Sequence, residues 1–254
     1  MAIPFQLYDE TGSTLLVGLL GIAALVPLLV VPIYGGAVAD AVDRRRLLLF
    51  SDVALLAVTL GLLANSLLPN PQIWALYAGE ALGTAAYGFQ RPARNALTPR
   101  LVGEDQLLAA IAVEDVVFTL ARVVGPALAG VLIAVFGLPG AYGIDMATFA
   151  ASLLAIWLLP KIPAAPDADR PSLQSILEGF RYVAHRKVLL GIFVVDTIAM
   201  IFGMPRALFP AFADELGGGP TVLGLMYSSL FAGALVASLV SGSLNAIRRQ
   251  GLAV

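Results

Sequence analysis

The stretch TLLVGLLGIAALVPLLVVPIYGGAVADAVDRRR, residues 14–46, decides the fold. Residues 14–39 carry no charged side chain. A helix needs about 20 mainly apolar residues to cross the hydrocarbon core of a bilayer, so this segment is long enough. Asp40, Asp43 and the triplet Arg44, Arg45 and Arg46 then close it. The pattern recurs over roughly 47–68, 73–93, 107–136, 138–159, 188–211 and 221–245, each bounded by charge or by Gly/Pro punctuation. Most of these segments are apolar all round, as expected of helices inside a bundle or in lipid. The expected fold class is therefore an all-α polytopic membrane protein, with about seven spans.

Composition agrees. The chain has 254 residues, of which 59% are hydrophobic and 13% charged, and its mean hydropathy is +0.89. Soluble domains carry about 25% charged residues, so a soluble enzyme is excluded. Disorder is excluded by the same numbers, because disordered chains are polar and highly charged. The absence of cysteine removes disulfides, thiol catalysis and thiolate metal sites. A single histidine, His185, cannot build a metal cluster or a Ser-His-Asp triad. No ATPase motif is present, and GGGP at 217–220 lacks the strand and the Lys-Ser/Thr of a phosphate cradle.

Charge sets the orientation. Arg44, Arg45 and Arg46 follow the first span, and Arg91, Arg94 and Arg100 follow the third. Lys161, Arg170, Arg181, Arg186 and Lys187 lie between the fifth and sixth, and Arg248 and Arg249 follow the seventh. The alternate loops, at 8–13, 69–72, 137–140 and 213–220, contain no Lys or Arg. Basic loops stay in the cytoplasm. The first full span thus runs from outside to inside, in the cell (inner) membrane.

PKIPAAPDADRP, 160–171, is rich in proline and charge and cannot continue a helix. It is followed by SLQSILEGFRYVAHRK, in which Leu173, Ile176, Leu177, Phe180 and Val183 recur near helical spacing after Ser172, a candidate N-cap. An amphipathic helix on the cytoplasmic surface is expected there. The organisation reads as a first transmembrane half over 1–159, a cytoplasmic linker with that helix over 160–187, and the start of a second half over 188–254. Residues 1–8 read as the end of a span, and NAIRRQGLAV stops within a basic loop. The expectation is a fragment cut at both ends.

Two motifs carry more than topology. In GGAVADAVDRRR, Gly36 lies four residues before Asp40, and Arg44 and Arg45 follow. The pattern resembles the loop motif between helices two and three of the major facilitator superfamily. Ala41 stands where that motif has a basic residue, and Asp43 where it has a second glycine. Taken by residues alone, it is equally a positive-inside loop with a helix cap. In LARVVGPALAG, 120–130, Gly125, Pro126 and Gly130 resemble the Gly-Pro element that the superfamily's proton-coupled drug antiporters carry in helix five. Alone, it is equally a packing kink. With QLYDETGSTLLVGLLG, RPARNALTPRLVGEDQLLAA and SILEGFRYV in order, the whole chain resembles the exporter branch that includes enterobactin exporters and related drug or macrolide efflux proteins. The resemblance implies a partial twelve-helix fold: the tail of helix one and helices two to eight. It also implies that Asp40, Arg44 and Arg45 act in a cytoplasmic gate, and that Gly125, Pro126 and Gly130 shape a moving helix.

Charges within spans are costly and mark function by default. The candidates for transport and proton coupling are Glu80, Arg122, Asp145 and Asp196. A carboxyl there can carry a proton, or it can pair with Arg122 or Arg206 and fasten helices together. Arg122 can bind an anionic substrate or balance Glu80. Asp52, Glu114 and Asp115 lie near cytoplasmic span ends and read as reaching water. Gly79 and Gly83, and the stripe Ser229, Gly233, Ala237 and Ser241, read as helix packing. The leading expectation is secondary active efflux of a drug-like or siderophore-like molecule by proton antiport. The alternative is a truncated, transport-inactive remnant. No enzyme activity and no cofactor beyond a proton gradient are expected. The expected partners are the bilayer, a small-molecule substrate and the remainder of the transporter, with no nucleic acid.

Overall fold

A computed structural model describes residues 1–95, 97–98, 102–159, 182, 185–203 and 205–241, with the backbone alone at 32–41, 95, 104, 187, 200–202 and 239–241. The helices are α1 (Ala2–Thr11), α2 (Thr14–Ala41), α3 (Arg44–Ser66), α4 (Ile73–Asn95), α5 (Leu107–Leu158), α6 (Lys187–Gly203), α7 (Phe209–Glu215) and α8 (Gly219–Ser241). Short 3-10 turns occupy Glu104–Gln106 and Arg206–Leu208. Among the described residues there is no strand. Thr14–Val31, Arg44–Ser66, Leu107–Leu158 and Gly219–Ser238 are long and apolar enough to cross a membrane.

Local chemistry sets the breaks. α1 runs through Tyr8–Thr11, which the charge pattern had placed in a loop; it ends because Gly12 takes φ 63° and donates its N–H to the Tyr8 carbonyl at 2.7 Å. α3 begins at Asp43, whose carboxylate accepts the Arg45 N–H at 2.9 Å and the Arg46 N–H at 3.4 Å. The aspartate that replaces the family motif's second glycine is thus an N-cap. The turn between α3 and α4 closes on Asn65, which accepts the Gln72 N–H at 2.7 Å and donates to the Gln72 carbonyl at 3.3 Å.

α5 is two limbs in one. Gly137, at φ 67° and ψ 179°, is its one non-helical residue, and Pro139 follows at once. Such a backbone is essentially restricted to glycine. The reversal separates the two spans expected over 107–136 and 138–159 by one residue rather than by a loop. The span expected over 188–211 is not continuous, however. α6 stops at Gly203, a 3-10 turn intervenes, and α7 starts afresh at Phe209. Pro205 cannot donate to a helix and disfavours helical geometry before it, while Pro210 sits in the first turn of α7. The linker and almost all of the amphipathic helix expected over 172–187 lie outside the described residues.

α4 packs between α2 and α3, the second limb of α5 packs on α3, and α8 packs along the first limb. α6 has no comparable partner among the described helices. Leu7, Val17, Leu20, Leu62, Leu76 and Tyr142 form a buried core where α1 to α4 meet the second limb. Leu47, Leu48 and Ala93 form a second at the opposite end, beside Ile156. Phe209, Ala213 and Leu223 join α7 to α8, with Met1 and, from α1, Phe5 against them.

Candidate functional site

At the end where α3 begins, Arg45 reaches across to the second limb of α5. Its Nε donates to the Ile156 carbonyl at 3.2 Å, and its Nη2 donates to the Trp157 carbonyl. Both carbonyls belong to the last turn, where intrahelical partners run out and the helix dipole favours a cation. Arg44, beside it, is buried. Gly36 and Asp40 lie on the last turns of α2; their surroundings lie outside what is described. Among the gate candidates, the Arg45 side chain is seen to reach another helix.

Two turns further in, Asp52 is 1% exposed, which corrects the expectation that it reaches water. Gln90 of α4 donates to its Oδ1 at 2.5 Å and Ser152 of α5 donates to its Oδ2 at 2.6 Å. Three helices are therefore fastened by one carboxylate. Glu114, though exposed, accepts from Thr98 at 2.5 Å.

The intramembrane candidates separate into groups. Asp145 accepts from Thr59 at 3.2 Å, so its partner on α3 is a hydroxyl. Glu80 is half-buried on α4, and Glu80 and Asp145 both lie within electrostatic reach of the Tyr142 hydroxyl. That hydroxyl donates to Gln6 Oε1 at 2.9 Å. Gln6 is fully buried, and its Nε2 has no partner among the described residues. Glu80, Asp145, Tyr142 and Gln6 form a polar patch between α1, α4 and the second limb; Gln6 and Tyr142 carry no charge, so a search for charged residues within spans passes over them. Asp196 lies on the exposed α6, away from this patch. Gly79 takes part in close packing, since a Cβ there would meet Leu62 at 2.8 Å, whereas Gly83 faces open space.

Arg122 is on the first limb, and no carboxylate faces it among the described residues. Its guanidinium lies 4.2 Å from the Phe118 ring centroid and 5.4 Å from that of Phe231 on α8. The expected balance between Arg122 and Glu80 is not what the fold builds.

The Gly-Pro element meets α8 directly. A Cβ on Gly130 would lie 2.4 Å from the Pro220 carbonyl oxygen and 3.1 Å from the Gly224 Cα. A Cβ on Gly224 would lie 2.4 Å from the Pro126 carbonyl oxygen. Both helices thus present Pro-x-x-x-Gly, Pro126–Gly130 and Pro220–Gly224, and each glycine abuts the other helix's proline carbonyl. Gly125 takes no part, having open space where a Cβ would stand. Gly233 likewise faces open space, so the small-residue stripe of α8 is not the packing face toward the described helices. Among the described residues, no group of His, Cys, Asp or Glu could hold a metal ion.

A family model described as transmembrane secretion effector matches residues 2–252. The chain belongs to this family of the major facilitator superfamily. As a member it is an all-α, multi-pass membrane protein and a transporter-family chain rather than an enzyme. It is 32% identical over 256 aligned positions to the enterobactin exporter EntS of Shigella boydii serotype 4 (strain Sb227), covering 99% of this chain and 61% of that protein. It is 31% identical, with the same coverage, to EntS of Escherichia coli O139:H28 (strain E24377A / ETEC) and of Escherichia coli O9:H4 (strain HS). The chain thus spans about three fifths of the length of these curated relatives. No solved structure matches it.

Proposed function

We propose that this chain works within a secondary active exporter of a small organic molecule, drug-like or siderophore-like, driven by proton antiport. Residues 1–159 form the first transmembrane half, 160–187 a cytoplasmic linker, and 188–254 the beginning of the second half. The protein sits in the inner membrane with its basic loops in the cytoplasm. The observation that carries this reading is the reciprocal Pro-x-x-x-Gly crossing of α5 and α8. At this point the segments on either side of the linker meet backbone to backbone. Two halves in such contact can rock against one another around a mid-membrane site, as alternating access requires. The crossing lies at the outer ends of both helices in this orientation, so this conformation is closed outward. Arg45 belongs to the cytoplasmic gate, with Asp40 and Arg44 beside it in sequence. Glu80 and Asp145, which share the patch around Tyr142, are the proton carriers, with Asp196 as a further candidate on α6. The enterobactin exporters among its relatives support outward movement of the cargo.

The test uses the full-length protein in proteoliposomes under an imposed pH gradient, with a panel of labelled efflux substrates. Proton-dependent movement of at least one is expected, and its loss in Glu80→Gln. Full proton-dependent efflux by Glu80→Gln removes Glu80 from the mechanism, and transport of nothing across the panel refutes the exporter reading. Tags beside Arg45 and Pro71 should report opposite faces of the membrane.

A further inference from the structure

We propose that the cleft between the first limb of α5 and α8 at Arg122 and Phe231 is a binding subsite for organic anions, one that takes the acidic group of a flat, apolar cargo. This rests on the exporter reading and gives its cargo a chemical class.

The cleft measures about 160 Å³ and is lined by Thr119, Arg122, Phe231, Ala234, Leu235 and Ser238. Arg122 is the sixteenth residue of α5 and stands midway along its first limb. At 1.5 Å rise per residue, about 20 Å of helix lies on either side of it. A guanidinium at that depth is expensive in lipid and faces protein or a water-filled cavity. Phe118 and Phe231 sit against the guanidinium at 4.2 and 5.4 Å. Aromatic faces stabilise the cation without neutralising it, and they leave its N–H donors at the edge. That edge suits two oxygens of one acidic group. The Arg206 guanidinium also lies near, 5.9 Å from the same Phe231 ring. Arg206 lies in the break between α6 and α7, so a ligand here faces groups from both sides of the linker. Ala234 and Leu235 give the ligand's body an apolar wall.

A lipid phosphate offers the same charge, but its headgroup stays near the bilayer surface, about 15 Å from the midplane. A soluble organic anion entering between the halves reaches Arg122 without that constraint.

The experiment measures binding of 2-naphthoate, of its neutral isostere 2-naphthamide, and of a short-chain phosphatidylglycerol to the purified full-length protein by calorimetry. Naphthoate is expected to bind about tenfold or more tighter than naphthamide. Arg122→Gln should erase that preference, Arg122→Lys should keep part of it, and Phe231→Leu should weaken both naphthalene ligands together. Retention of the full preference in Arg122→Gln overturns the proposal, as does a site that takes phosphatidylglycerol and not naphthoate. If Arg122→Gln fails to fold, a full preference in Arg122→Lys with unchanged affinity overturns it instead. Binding without transport in proteoliposomes would count against the exporter reading and leave this subsite standing.

Discussion

Replacing Gly130 by alanine tests the crossing of α5 and α8 directly. The new methyl would sit 2.4 Å from the Pro220 carbonyl oxygen, where ordinary contact begins at 3.4 Å. Neither helix offers a side chain that can swing aside, because the neighbours are the Pro220 oxygen and the Cα atoms of Thr221 and Gly224. The two helices must therefore separate by about 1 Å, and overpacking of this kind costs about 1–3 kcal/mol. Only the conformation in which the helices touch pays that cost. A two-state equilibrium between touching and separated forms then moves by roughly 5- to 150-fold toward separation. Spin labels on Val135→Cys and Leu216→Cys, both exposed near this end, read the separation by pulsed electron resonance. The 254 residues contribute no competing thiol. In the full-length protein in nanodiscs, Gly130→Ala should deplete the shorter-distance population, and Gly224→Ala should do the same. The double substitution should fall short of the sum, since both remove one contact. Unchanged distance distributions in both single variants would refute the reasoning.

Three further outcomes follow from the other joints. Asp52→Ala leaves Gln90 and Ser152 without their buried acceptor, and each bond to a charged group is worth about 1.5–3 kcal/mol. A clear fall in melting temperature is expected by scanning fluorimetry, with Asp52→Asn milder; an unchanged melting point for Asp52→Ala contradicts the network. Arg45→Ala should cost about 1–2 kcal/mol by uncapping the second limb, and hydrogen exchange should rise over residues 152–158. Arg45→Lys should recover only part of this, because one ammonium cannot reproduce the two-pronged contact. Gly137→Ala forces a side chain into φ 67°, ψ 179°, a strain of about 1–3 kcal/mol. It should lower thermal stability while Gly83→Ala, with open space at its Cβ, leaves stability nearly unchanged.

What the sequence disclosed follows from how far each signal reaches along the chain. Apolar runs bounded by arginine or by Gly-Pro punctuation are local, so the helices through 159 were legible to within a few residues. The break in the sixth was not, because hydropathy is high on both sides of Arg206 and the segment reads as one apolar run; Pro205 was the available signal. Asp52 stands near a span end, and nothing nearby in sequence shows that its partners lie 38 and 100 residues away. The same distance hides Thr59 from Asp145, 86 residues apart. The Gly-Pro element was visible, but its counterpart, Pro220–Gly224, lies on a different face of α8 from the Ser229–Gly233–Ala237–Ser241 stripe and emerges only when α8 lies against α5. Arg122 was singled out by its cost in lipid. That it meets aromatic rings instead of Glu80 depends on helix rotation, which apolar-all-round segments do not encode.

The Arg45 contact ties membrane insertion to the finished bundle. In the proposed topology, while the chain is being threaded, this residue is one of several interchangeable positive charges that hold a loop on one side. Once the second limb arrives, the same guanidinium becomes irreplaceable in shape, because it closes a helix end synthesised more than a hundred residues later. A lysine here would therefore yield a chain with the right topography and a loosened joint, a defect invisible to any assay of sidedness.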